Sequence, residues 1–418
     1  MNKIAMVFLL INATALLVLP RRFAPLPLLI GACYVTRGQG IDLGPLSFSV
    51  LRLLILFGFI RVIFKGERLS GLMNTLDWIM LMWSASAVVS SVFHKDPAAA
   101  LIFRLGLIFD AGGVFFLIRI FCRCFDDLII LFRIIAILLL PVGLEMAYEK
   151  VAASNLFSFF GGIPETPQIR NGRLRAQGPF AHPILAGTVG ATCLPLMIGL
   201  WMRHRKEALI GIIACLAIVF TSSSSGPILS TVAGLGALFL WRYRQNIRLF
   251  RWIFILGYIW LDIFMNAPAY YIVTRFDFIS GSTPWHRARL IESATDHIDE
   301  WWLGGTDYTR HWMPTGVSWS REHTDITNYY LKMGVIGGLP FMLLFITLLW
   351  KGFRFVGQTV QHGDSLPSEA RFIIWTLGAS LFSIAATSFS VSFFDQSFLF
   401  LYLVLAVIGS MRNVWKTD

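Results

Sequence analysis

The stretch His323-Thr324-Asp325-Ile326-Thr327-Asn328-Tyr329-Tyr330-Leu331-Lys332-Met333-Gly334-Val335-Ile336-Gly337 is where a long polar insertion, running from about Ala267 to Glu322, gives way to an apolar run. Almost every other segment is hydrophobic enough to sit in lipid. Of the 418 residues, 56% are hydrophobic and 14% are charged. A soluble globule carries about a quarter charged residues, so the composition excludes one and predicts a polytopic membrane protein. Because a crossing helix needs about 20 apolar residues, one domain has room for roughly a dozen crossings and a single sizeable loop.

Outward from that insertion, apolar segments recur at about 4–19, 23–36, 46–64, 76–93, 100–121, 126–148, 180–202, 207–220, 226–241, 252–268, 325–350, 371–393 and 396–411. They predict an all-α transmembrane bundle of twelve or thirteen spans. The choice rests on residues 1–36, since 23–36 is short, contains Pro25 and Pro27, and reads equally as a crossing or as half of a broken span. Lys3 and the apolar run to Leu19 resemble a signal peptide, but no small-residue cleavage site precedes Pro20-Arg21-Arg22, so the run reads as a retained first span.

The formal charge of +11 raises a nucleic-acid partner as a possibility. The distribution argues against one. Arg21/Arg22, Lys65/Arg68, Arg119/Arg123, Arg203/Arg205/Lys206, Arg242/Arg244/Arg248/Arg251, Lys351/Arg354/Arg371 and Arg412/Lys416 fall after every second apolar segment. Such spacing lets all of them face the cytoplasm with the C-terminus. The segments 94–99, 149–179, 221–225, 267–324 and 394–395 are then outside. Five cysteines form no disulfide framework, and Cys122-Arg123-Cys124 is too tight for a paired-cysteine zinc motif. Asp110, Glu145 and Asp262 lie within apolar segments and should face the bundle interior, with Arg104 a candidate partner for Asp110.

The outer loop 149–179 departs from the charge rule, because Arg170, Arg173 and Arg175 stand on the side where basic residues are scarce. They read either as a solvated loop or as a site for an anionic ligand, Arg being the side chain whose planar fork grips phosphate oxygens. His182 before Pro183 is expected to be extended at the membrane surface. Thr221-Ser222-Ser223-Ser224-Ser225-Gly226-Pro227 brings hydroxyls to the same side, with Ser225 or Gly226 near a helix cap. In the long loop, Ser282-Thr283-Pro284 is a helix start with Thr283 as N-cap. Leu290, Ile291, Ala294, Ile298 and Trp301 then recur at helical spacing. The pattern predicts an amphipathic helix lying on the outer membrane face, with Trp301 and Trp302 at the headgroups and an end at Leu303-Gly304-Gly305-Thr306. Tyr308, Trp312 and Trp319 suit stacking on sugar rings or burial in headgroups. Gly334 and Gly337 should share a helix face and admit a close neighbour.

Three features together resemble the O-antigen ligase and polysaccharide polymerase superfamily of bacterial inner-membrane glycosyltransferases. Arg175-Ala176-Gln177-Gly178-Pro179-Phe180 looks like the family's Arg-x-x-Gly-x-Phe segment. Arg287-Ala288-Arg289-Leu290-Ile291 followed by Leu303-Gly304-Gly305 resembles its loop helix, and His323 ahead of Gly334-Val335-Ile336-Gly337 matches its His-to-Gly-x-x-Gly spacing. The likeness runs from about Leu174 to Gly337. It implies a GT-C-like helical bundle and an external cavity for an undecaprenyl diphosphate-linked glycan donor. It also implies a glycan or lipid A-core acceptor, and other polysaccharide-assembly proteins and membrane lipids as partners.

Such a reaction needs cations for the leaving diphosphate and a base for the acceptor hydroxyl. The resemblance assigns Arg175 and Arg287 to the diphosphate, with Arg173 and Arg289 as neighbours that can exchange roles with them. His323 is then general base, or a hydrogen-bond donor to phosphate if Glu322 or Asp325 is the base, and His182 belongs to the same binding surface. Arginines carry the charge, so no metal and no cofactor are expected. Thr324 and Thr327 replace residues usual in the family, which favours polymerase or generic exopolysaccharide transfer over ligation. The competing class is a transporter or flippase, which should show repeated halves and broken helices at matching positions. A non-catalytic receptor or assembly subunit is the third reading.

Overall fold

The computed structural model describes residues 1–69, 71–265, 268, 271, 283–318, 320–362 and 366–414. Ser282, Trp319, Lys416 and most of the insertion before residue 283 lie outside the described residues. The chain begins with α1 (Lys3–Val18), α2 (Pro25–Tyr34), a hairpin of β1 (Gly40–Leu43) and β2 (Leu46–Ser49), α3 (Val50–Lys65), α4 (Thr75–Ser90), α5 (Pro97–Phe121) and α6 (Phe125–Ala152). A second hairpin, β3 (Gln168–Arg170) and β4 (Arg173–Arg175), precedes α7 (Pro183–Leu200), α8 (Arg205–Thr221), α9 (Ser225–Phe239) and α10 (Ile247–Phe264). The polar insertion holds α11 (Thr283–Asp296), α12 (Ile298–Trp301), β5 (Gly316–Val317) and β6 (Ser320–Thr324). Last come α13 (Tyr329–His362), α14 (Ser368–Ser388) and α15 (Phe398–Val414).

Each apolar segment of the sequence is thus one helix of an all-α bundle, relieved only by three two-stranded hairpins among the described residues. Six helices are long and apolar enough to cross a membrane: α4 with its 3-10 extension to Phe93, α5, α6, α7, α13 and α14. Residues 1–36 form two antiparallel helices rather than one. The α1–α2 pair is fixed at one end by Asn2, whose backbone N–H reaches Gln39 Oε1 at 3.0 Å and whose side chain reaches Phe160 O at 2.8 Å. At the other end Arg61 donates to the carbonyls of Leu16 and Leu19. The core is continuous through the bundle.

The basic clusters gather at one end. Arg21 meets Asp127 at 2.8 Å, Arg123 donates to Arg68 O at 2.6 Å, and Arg203 meets Glu369 at 2.7 Å. Four cysteines, Cys33, Cys122, Cys193 and Cys215, are buried, while Cys124 is exposed at this same end. Several charges inside the bundle are paired, the less costly arrangement in a low-dielectric interior. Asp77 and Arg119, both without solvent exposure, form a two-pronged pair at 2.8 and 2.9 Å. Asp110 takes its two bonds from Arg52, at 2.9 and 2.7 Å, and not from Arg104 as the sequence suggested. Asp110 lies six positions after Arg104, so with 3.6 residues per turn the two point about 120° apart around α5.

Arg104 serves a break in α13 instead. The backbone leaves helical geometry at Gly337 (φ −145°, ψ 17°) and Gly338 (φ 77°, ψ −178°). The freed groups are met by protein: Thr306 N–H donates to Val335 O at 2.9 Å, Leu339 N–H to Trp302 O at 2.7 Å, and Arg104 to Ile336 O. Gly334 and Gly337 therefore do not share one helix face. Gly334 admits the Trp301 ring, and Gly338 is pressed against the Leu303 carbonyl.

The insertion's helix is also placed differently from expectation. Its apolar residues Leu290, Ala294 and Trp301 pack with Trp312 and Met313 against Leu331 and Val335 of α13, so protein rather than lipid covers that face. Ile298, expected on the same stripe, is exposed, because the helix breaks at His297 and restarts as α12. Trp302 is half exposed.

The φ and ψ of Gly338 belong to a region that only glycine enters cheaply. Gly338→Ala should destabilise the detergent-solubilised protein by about 1–3 kcal/mol from backbone strain alone, lowering Tm. Gly357→Ala, where a Cβ meets nothing within 4 Å, should leave Tm unchanged; equal behaviour of the two would refute this account of the break.

Candidate functional site

Opposite the basic end, the β3–β4 hairpin carries three arginines. Asn171 and Gly172 turn it with positive φ at both positions (51° and 70°), the geometry of a tight two-residue hairpin. The register sets Arg170 opposite Arg173 and Gln168 opposite Arg175. Arg175 is 4% exposed; one terminal nitrogen donates to Ser224 Oγ at 2.6 Å and the other to Gln168 Oε1 at 3.2 Å. Its Nε has no hydrogen-bond partner. Lys150, from the end of α6, closes the group by donating to Leu174 O and to Ser223 Oγ. Among the described residues no carboxylate pairs with these cations. Burial, and then the charge of Arg170, pulls the Arg175 guanidinium down to about 10.

The turn after Arg175 is fixed from beneath. Glu149 Oε2 accepts the backbone N–H of Gln177 at 3.0 Å and of Gly178 at 2.8 Å, and Ala176 N–H reaches Thr221 O at 3.1 Å. His182 is extended (φ −156°, ψ 142°) before Pro183, as expected, and its Nδ1 accepts the N–H of Ile184 at 3.1 Å as the cap of α7. Accepting there leaves the ring proton on Nε2. Burial, then the charges of Arg175 and Arg170, pushes His182 from 6.5 down to about 4. Ser224, not Ser225 or Gly226, is the residue before α9, and its hydroxyl serves Arg175 rather than the helix end.

A second group lies on the insertion. His323 sits on strand β6, six residues ahead of the helix it was expected to introduce, with Ser320 Oγ 2.8 Å from its Nδ1. Glu322 is exposed and its backbone carbonyl accepts from Thr309 at 2.9 Å. Arg287 is buried on α11, at 7% exposure, while Arg289 turns outward to Glu292 at 2.6 Å, an acid that also accepts from Tyr271 at 2.8 Å. His286 Nε2 lies 3.1 Å from the backbone oxygen of Asp325, which brings the start of α11 beside the exit of β6. His286, next to Arg287, thus lies beside Asp325, two residues after His323. Arg173 is exposed on the hairpin.

The connection between α14 and α15 joins the two groups. Ser392 Oγ donates to Ile326 O, while Asp395 Oδ2 accepts from Ala181 N at 2.8 Å and Gln396 donates to Pro179 O at 3.1 Å. Asp395 holds a positive φ of 58° to do so. Beside this connection opens a cavity of about 460 Å³, lined in part by Arg37, Arg52, Asp110, Lys332, Asp395 and Tyr402. None of the eight residues singled out from the sequence lines it. Lys150, Lys332 and Asp395 were not singled out from the sequence, and Ser224 only as one hydroxyl of its turn. Only the hairpin had a readable signal, Asn171-Gly172 between alternating residues.

No family model matches the chain, and no curated protein is similar to it.

Because the folded state depresses the pKa of His182, its contribution is intact above about 6.5 and is lost as pH falls toward 4. Thermal melts across that window should show His182→Gln losing less stability on acidification than the wild type. Arg175→Gln should raise the His182 pKa, read by histidine NMR; an unchanged value would remove the proposed electrostatic contact.

Proposed function

We propose that the chain is a membrane glycosyltransferase of the O-antigen ligase and polymerase type. It would move a glycan from an undecaprenyl diphosphate carrier to a sugar hydroxyl during surface or exopolysaccharide assembly. The observation that carries this reading is Arg175: a buried guanidinium with an unused Nε, grouped with Lys150, Arg170 and Arg173 and given no carboxylate among the described residues. Concentrated uncompensated cations at the end of an apolar bundle suit a polyanion that arrives on a lipid.

In this reaction the acceptor oxygen attacks the anomeric carbon, the bond from that carbon to the phosphate oxygen breaks, and the carrier leaves as diphosphate. Arg175, with Arg173 beside it, stabilises the charge that grows on the leaving oxygens. Arg287 does so from the insertion. His323 accepts the proton of the attacking hydroxyl, its ring oriented by Ser320. If Glu322 or Asp325 is the base, His323 donates to phosphate instead. His182, neutral at physiological pH, contributes shape and a ring N–H rather than charge. The arginine-rich end would face the periplasm of a bacterial inner membrane, and the basic end with the C-terminus the cytoplasm. The replacements at Thr324 and Thr327 favour polymerisation over ligation to lipid A-core.

One observation favours a second reading, transport of a lipid-linked glycan without transfer: α13 is a broken helix, as transporter binding helices are. Its break, however, is filled by Arg104 and residues 302–306 instead of opening toward a substrate.

Purified protein incubated with a defined lipid-linked repeat unit, with and without lipid A-core, separates the readings by gel. A ladder is expected; single-step transfer identifies a ligase, and no reaction with flipping of the lipid identifies a transporter. Arg175→Ala, Arg287→Ala and His323→Ala should each reduce transfer roughly 100-fold or more while membrane levels hold, and full activity in any one removes that residue from the site. Added Mg²⁺ or Mn²⁺ should not be needed.

A further inference from the structure

The junction of α11 and α12 brings together His297, Glu300 and His311, whose ligand atoms all lie within 4.8 Å of one another. Nothing in the proposed transfer reaction uses them. His297 Nδ1 is 2.8 Å from the carbonyl of Ser293. A carbonyl only accepts, so Nδ1 carries the proton and Nε2 presents a lone pair. This is the arrangement in which a metal-binding imidazole is held, its second nitrogen donating to a backbone oxygen. Glu300 is prepared similarly, with Oε2 accepting from the indole N–H of Trp312 at 3.1 Å while Oε1 lies 2.8 Å from His311 Nε2. The His311 ring is stacked on Tyr308 (centroids 5.1 Å apart, planes within 9°) and stands edge-on to His297 at 4.8 Å.

The surroundings favour a cation. Asp296 and Asp299 flank the ligands in sequence, and the nearest base in the chain, Arg310, is turned away to the carbonyls of Met313 and Pro314 at 2.7 and 3.1 Å. The footing is rigid, since Trp312 is buried with Trp301 and Leu290.

We propose that His297, Glu300 and His311 form a binding site for a divalent transition metal of the Zn²⁺ class. Two imidazoles and one carboxylate are a donor set that zinc takes with a water in the fourth position. Bonds of about 2.0–2.2 Å to a tetrahedral ion set ligand atoms about 3.4 Å apart, so a separation of 4.8 Å closes by about 1.4 Å through side-chain rotation. As the ion takes the place of the proton between His311 Nε2 and Glu300, a neutral His311 ring carries its proton on Nδ1 instead, and a protonated ring gives one proton to solvent. The ion ties α11 and α12 to the turn at Arg310–Trp312. The adjacent Thr309 is bonded to β6 on both sides of His323, giving its N–H to Glu322 O at 2.9 Å and accepting at Oγ1 from Thr324 at 3.1 Å. The site is therefore a staple for the strand that carries His323, and it is remote from the diphosphate chemistry in role.

The test uses full-length protein in detergent, carrying Cys124→Ser to remove the exposed thiol, stripped with chelator and titrated with Zn²⁺. One equivalent per chain by elemental analysis after desalting is expected, with a rise in Tm and, with Co²⁺, the visible bands of a four-coordinate ion. Glu300→Gln keeps an acceptor for Trp312 and should weaken binding at least 10-fold, as should His297→Gln with His311→Gln. Undiminished zinc content in both variants, or no retained zinc in the parent, overturns the proposal; the readout is metal content, so the result stands apart from whether glycan transfer is found.

Discussion

A helix that breaks where protein encloses it must find partners for its freed backbone groups within the protein. The break of α13 at Gly337 and Gly338 imposes that demand on the rest of this molecule. Its carbonyls are met from two directions, by Arg104 on α5 and by Thr306 of the insertion, while Trp302 O takes the N–H of Leu339. Asp307, next in the chain, binds His94 and the backbone of Lys95, which fixes the connection between α4 and α5 as well. The insertion is thereby docked into the bundle instead of floating on it. Trp301 at Gly334, the buried face of α11 and the register of β6 all follow from that docking.

The arginine hairpin obeys the opposite logic. Two acids of the bundle are each matched to an arginine, Asp77 to Arg119 and Asp110 to Arg52. At the β3–β4 turn the matching stops. Arg175 is more buried than Arg52 and Asp110 yet relies on a hydroxyl and an amide, and burial, then the charge of Arg170, draws its pKa down. Holding such a group in place is costly. Glu149 bears on the arrangement indirectly, fastening the turn by two backbone N–H groups without neutralising the guanidinium. A region that spends stability to keep cations unpaired is where a binding function is to be sought.

Hydropathy made the bundle legible, because each helix must be apolar over most of its length and Lys and Arg mark where it ends; all thirteen apolar segments became helices for that reason. What it could not reveal was which partner a buried charge takes. Arg104 and Asp110 look paired on one strand of text, yet Arg52 arrives from another helix. The three hairpins were equally hidden behind their neighbours: residues 46–49 merged with the apolar run of α3, although Asn171-Gly172 advertised a turn. Helical spacing located the apolar stripe of α11 but not what covers it, since protein and lipid ask for the same side chains. Arg175 and His323 were visible as types in a suspicious place; the residues that support them, Glu149, Ser224 and Ser320, earn their roles only through folding.

The cysteines carry one consequence of their own. Four are enclosed by the bundle and one, Cys124, stands in the open at the basic end beside Arg123 and Asp126. Cys124 is therefore the chain's single exposed thiol, and a thiol reagent that cannot pass a membrane would read, without any engineered tag, which compartment that face looks into.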